Sequence, residues 1–169
     1  MSLSAHLIAQ LDAELEASKR VIERIPESMY AWQPHDKSFK ALALATHVAN
    51  LISWGAMILT TEELDFASEE MQNWKPPTAD TAGEVLQLLE QNGAQVRGIL
   101  GSMSDEDLEK TWTMRMGEQV YSADPRHFAF ARWVLAHQAH HRGQLTVYLR
   151  LKDEPVPGIF GPSADETEM

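Results

Sequence analysis

A chain of 169 residues, 44% hydrophobic and 23% charged, has the length and make-up of one globular domain and is short for two. Fourteen Lys and Arg stand against 25 Asp and Glu, a formal charge of −11, which works against nucleic acid or an anionic membrane as the main partner. Zero cysteines exclude a disulfide framework, a thiolate metal site and a Cys nucleophile, so any metal must be held by nitrogen and oxygen.

Leu3, Leu7, Leu11, Leu15, Ser18, Ile22 and Ile25 recur at steps of three and four, which predicts a first helix closed by Pro26. Asp12, Glu14 and Glu16 break what an export signal would need as an apolar core, and the chain reads as cytoplasmic. The stretch from Glu27 to Lys37 reads as a connection. A second helix is expected from near Ser38 to about Thr60, with Leu44, Val48, Leu51, Ile52 and Leu59 on its apolar face. Ala41 to Thr61 carries no charged side chain. Thr46, His47, Asn50 and Ser53 within it favour a buried bundle helix over a membrane span.

Thr61 to Asp80 is irregular and reads as a long connection through Pro76 and Pro77. Thr81 followed by Glu84 is a capping-box signature, and a third helix follows as far as Gly101. Ser104 with Asp105, Glu106 and Asp107 marks a short helical turn, because acids favour a helix N-terminus. The alternation over Thr111 to Tyr121 suggests a small hairpin. Asp124 and Pro125 read as cap and first-turn proline of a last helix carried to about Lys152 by Phe128, Ala131, Val134, Leu135, Leu145, Tyr148 and Leu149. The tail, 153–169, is rich in Pro and Gly and then acidic. Its Asp165, Glu166 and Glu168 are assigned no partner. The sum is an all-α four-helix bundle in a single domain, 1–169.

Seven histidines are present, and two of them have a telling spacing. His137 and His141 lie four positions apart, so about 400° of helical rotation leaves both rings on one face, as a shared metal ion requires. His47 sits in the middle of the uncharged second helix, and bundles build metal sites from facing helices. Three neutral imidazoles suit Zn²⁺, Ni²⁺, Fe²⁺ or Mn²⁺ and leave coordination positions open. Buried imidazoles also serve as hydrogen-bonded core groups, and the residues alone leave that alternative open. His140 points about 80° away from the pair and reads as a support or a solvent-facing residue. His127 lies about 15 Å down the axis and cannot share the ion. His6 and His35 read as surface residues. Gln144 is placed to orient a bound species or a ligand ring, Trp133 and Tyr148 to line a pocket, and Gly143 to allow close helix contact.

These residues also carry a family likeness. The segment AHQAHHRGQLTVYLRLKDEPVPGIFGPSADE, Ala136 to Glu166, closely resembles the terminal signature of the DinB family, and SFKALALATHVANL, Ser38 to Leu51, its second-helix motif. WQPHDKS, Trp32 to Ser38, and MSDEDLEKTW, Met103 to Trp112, are similar to it as well. The resemblance implies an up-up-down-down four-helix bundle, a homodimer, and a divalent metal held by His47, His137 and His141. It also implies a metal-dependent enzyme of thiol S-transferase or hydrolase type, activating water or a low-molecular-weight thiol. The alternative is a non-catalytic, stress-associated protein binding a metal or small ligand.

Overall fold

The computed structural model describes residues 2–167, which leaves the acidic Glu168 outside the described part. Four long helices dominate: α1 (Leu3–Ile22), α2 (Ala41–Thr60), α4 (Ala82–Ser102) and α7 (His137–Leu151). Between them lie α3 (Glu69–Asn73), α5 (Asp105–Glu109), α6 (Arg126–Phe130) and the strands β1 (Glu63–Asp65), β2 (Thr111–Met116) and β3 (Gln119–Pro125).

α1, α2 and α4 start where local chemistry satisfies free N–H groups, whereas α7 continues from preceding helix. The Ser2 hydroxyl accepts from Ala5 N at 3.2 Å and begins α1. Thr81 Oγ1 accepts from Glu84 N at 3.1 Å and begins α4. Glu84 reaches back one residue further than a capping box would, to Asp80 N at 2.7 Å. No side chain caps α2. Its Ala41 and Leu42 N–H groups donate instead to the Trp32 and Tyr30 carbonyls of the preceding connection, which fixes that connection against the helix.

α2 packs against α4 on one side and α7 on the other, and α1 packs against the same two helices. Val21, Ile22, Leu44, Val48, Ile52, Val96, Leu100, Val134, Leu145 and Leu149 fill the space between them. α2 is long and apolar enough to cross a membrane, yet most of it is buried within this packing. Gly55 and Gly93 permit the closest approaches. A Cβ at Gly55 would stand 2.7 Å from the Phe130 ring, and one at Gly93 2.6 Å from Leu15 Cδ1.

The chain is mostly helical, but it is not all-α. The hairpin expected before the last helix is present as β2 and β3, turning at Gly117 with φ +58°. β1 adds a third strand, parallel to β2, from the segment that reads as irregular in the sequence. Three residues are too few for alternation to register, and Arg115 reaching Glu63 at 2.6 Å and Asp65 at 3.0 Å supplies the missing specificity.

Three further expectations are corrected. Asp124 does not cap the last helix: β3 runs through Pro125, the Asp124 carboxylate accepts from the Ser122 hydroxyl, and helix begins at Arg126. That helix then widens into a π-helical stretch, Ala131–Ala136, before α7, and Phe128 ends on the outside, 48% exposed. The tail is not a free acidic run. Glu166 pairs with Arg20 and Arg24 of α1, and Asp165 pairs with Arg150 of α7.

Candidate metal centre

α7 presents His137 and His141 one turn apart, on the edge of the buried stripe formed by Gln138, Arg142, Leu145 and Leu149. α2, packed alongside, brings His47 to the same place. Ring centroids of His47 and His141 are 4.6 Å apart, of His137 and His141 4.8 Å, and of His47 and His137 5.7 Å. One nitrogen from each ring lies within 4.8 Å of the others. Among the described residues these are the His, Asp and Glu side chains that converge in this way.

Hydrogen bonds fix how the rings face. His141 Nδ1 donates to Gln144 Oε1 at 2.8 Å, and the Gln144 amide N–H donates to His140 Nε2 at 3.2 Å. A neutral His141 with its proton on Nδ1 carries a lone pair on Nε2, and that nitrogen stands 3.0 Å from His137 Nε2. His137 Nδ1 is buried on the side of the Trp133 carbonyl, with no well-aligned hydrogen bond between them. Two ring nitrogens that close need a proton or a cation between them.

Electrostatics favour the uncharged form of His47 and His137. Burial, then the neighbouring His141 and His137, pushes the His47 pKa down to about 4. His137 is lowered by burial and by His141 and His140, with the Trp133 carbonyl opposing. Neutral imidazole is the form that ligates metal. The donor set suits a divalent ion: two nitrogens on one ion with bonds of about 2.0–2.1 Å stand roughly 3.3 Å apart in tetrahedral geometry, close to the His137–His141 separation.

The other histidines fall outside the cluster. His140 is exposed and acts through Gln144, His127 stands 3.5 Å from Glu109, and His6 and His35 lie on the surface. Tyr148 is not among the residues that line the cavity beside His47. Its hydroxyl donates to the Phe39 carbonyl at 3.1 Å and its ring meets Trp32 edge-on, so it braces the segment that carries Phe39. The tryptophan beside the rings is Trp54, 6.5 Å from His137, rather than Trp133. Gly143 makes no close helix contact, since a Cβ there would meet nothing within 4 Å.

Sequence reasoning missed Phe39, whose ring stacks on His47 at 5.7 Å, and nothing in its spacing signals this. It also missed Arg142, buried beside His141 and paired with Glu14 of α1. The apolar stripe around Arg142 places it inward, and that was a readable signal.

A DinB family model matches residues 1–168. The protein YrdA of Bacillus subtilis strain 168 is 21% identical over 161 residues, covering 95% of this chain and 90% of its own. The crystal structure of the DinB-like protein YjoA of Bacillus subtilis superposes with a TM-score of 0.68 at 17% identity, covering 97% of this chain and 99% of that one. A DinB-like protein of Bacillus cereus ATCC 10987 gives a TM-score of 0.63 at 19% identity, with 88% and 92% covered.

Proposed function

This chain belongs to the DinB family, and from that premise and the meeting of three imidazoles we propose that it is a divalent-metal-binding protein working as a metal-dependent transferase or hydrolase. In this reading α1, α2, α4 and α7 form an up-up-down-down four-helix bundle, which their ring of mutual packing supports. His47, His137 and His141 hold the ion, which is Zn²⁺, Ni²⁺, Fe²⁺ or Mn²⁺ by the chemistry of the donors. A homodimer in the cytoplasm is part of the same proposal.

A divalent ion there supplies Lewis acidity, lowering the pKa of water or of a low-molecular-weight thiol brought to it. The chain's own contribution is to hold the ligands in place, with His47 and His137 favoured in the neutral form. Burial removes the competing proton from His47. Gln144 fixes the tautomer of His141, and His140 in turn orients the Gln144 amide. The absence of cysteine means that any thiol must arrive with the substrate. What favours catalysis over storage is a cavity that opens beside His47, where a closed site would carry a further protein ligand.

The carrying observation is the 3.0 Å approach of His141 Nε2 to His137 Nε2 with His47 beside them. Calorimetric zinc titration of chelator-treated protein tests it. Single His47→Ala, His137→Ala and His141→Ala changes are expected to abolish stoichiometric binding, and Gln144→Leu to weaken it roughly 10–100-fold. Undiminished binding by His47→Ala refutes the centre. Turnover of a thiol and ester panel that survives metal loss in His137→Ala refutes the enzyme.

A further inference from the structure

The cavity beside His47 encloses about 360 Å³, a size that suits a small molecule. Its walls are mostly apolar: Phe39, Leu42 and Ala43 on one side, Pro76 and Pro77 on the other. Both sides are tied in place. Asn50, 6% exposed on α2, donates to the Pro77 carbonyl at 2.8 Å, and Tyr148 holds the Phe39 carbonyl. Such tethers make a standing pocket rather than a gap between loops.

Its polar side chains include the acceptor Asn50 Oδ1, buried and without a hydrogen-bond partner, but its charge is of one sign. Lys40 stands at the rim, and among the described residues no carboxylate pairs with it. The Tyr30 hydroxyl accepts from Ala82 N at 3.0 Å and keeps its own proton to donate. The chain has 25 Asp and Glu, yet among the described residues none lines this cavity. On a surface of such negative charge, an acid-free pocket with an unpaired lysine selects for anions. Lys40 precedes His47 by seven residues, roughly 10 Å of helix. A bound molecule would therefore touch both ends.

We propose that this cavity is the substrate subsite and takes a small organic acid with an apolar body, its carboxylate at Lys40 and Tyr30 and its far end beside His47. The assignment rests on the metal-centre reading only for what happens at that far end.

The test is calorimetric titration of the zinc-loaded protein with 4-phenylbutyrate and with its neutral amide, 4-phenylbutyramide. The acid is expected to bind at least tenfold more tightly than the amide. Lys40→Gln should bring the acid down to the level of the amide, and Ala43→Trp, at an exposed helical position on the cavity wall, should abolish both. Zinc content should stay at the wild-type level in both variants. An acid-to-amide ratio below tenfold overturns the subsite, as does undiminished acid binding by Lys40→Gln, which would send the carboxylate to the metal instead. Binding that survives Ala43→Trp overturns it too. Wild-type protein treated with chelator separates the two readings: acid preference without any zinc uptake leaves the subsite standing and the catalytic reading without its ion, and normal zinc uptake without acid preference does the reverse.

Discussion

The helical glycines differ in what stands opposite their missing Cβ. Gly143 sits one helical step from the HxxxH pair and invites the reading of a close contact, yet it faces open space, whereas Gly55 and Gly93 are the positions where neighbours press in. The sequence shows which helical positions lack a Cβ, but not what stands opposite them. The two classes of glycine predict opposite signs. Gly143→Ala removes only the entropic cost of a helical glycine and should stabilise by about 0.5–1 kcal/mol. Gly55→Ala forces a methyl against Phe130, which is buried and has nowhere to move, and should destabilise by about 1–3 kcal/mol. Urea midpoints of the two variants decide it, and a loss of stability in Gly143→Ala would mean that its face is covered. The histidines, by contrast, were legible singly. On a helix a four-residue spacing fixes a shared face, and an imidazole inside an uncharged helix marks a position that needs a polar partner.

Elements were legible where their own residues decide them. The long helices announce themselves through apolar spacing, and α5 through its acids: Ser104 Oγ accepts from Asp107 N at 3.1 Å while Asp107 accepts from Ser104 N at 3.4 Å. The last helix was legible only in part, because Asp124 and Pro125 carry the usual cap chemistry but are held in β3 by pairing with Trp112 and Thr111. The π-helical stretch that follows left no mark in the periodicity, and it offsets the faces of α7 from those of α6. The capping box gives a pH prediction. The Lys110 ammonium, then the Ser104 hydroxyl and N–H, hold the Asp107 carboxyl down at about 2 against an ordinary 3.8. The sign follows from proton uptake: the unfolded chain binds this proton first, so the contribution to stability is complete above about 3.8 and lost as pH falls through about 2. Carboxyl-carbon NMR should show Asp107 titrating near the lower value and moving upward in Lys110→Ala. Titration at the ordinary value in wild type would mean that the box is not formed.

Across the whole molecule, the contacts that join distant parts of the chain are the ones the sequence hid, since charge pairs separated by more than a hundred residues leave no local pattern. The tail closes onto α1 through partly exposed pairs of Glu166 with Arg20 and Arg24, each worth about 1 kcal/mol or less. The pair between Arg142 and Glu14 differs, because Arg142 is 4% exposed and Glu14 is its carboxylate across the α1–α7 interface. Ser18 and the Phe160 ring complete its surroundings. A buried guanidinium left without its counter-charge is strongly destabilising, whereas replacing both partners with apolar side chains is nearly neutral. Glu14→Leu should therefore cost about 3 kcal/mol, and Glu14→Leu with Arg142→Met should recover more than half of that. Arg142 adjoins His141, so urea unfolding is to be followed with a chelator present, which keeps metal binding out of the balance. A Glu14→Leu protein within about 0.5 kcal/mol of wild type would place this pair with the surface ones. A double variant no more stable than the single would show that Arg142 holds α7 to α1 through its stem and Phe160 rather than through charge, and the register that sets His137 and His141 opposite His47 would then rest on packing alone.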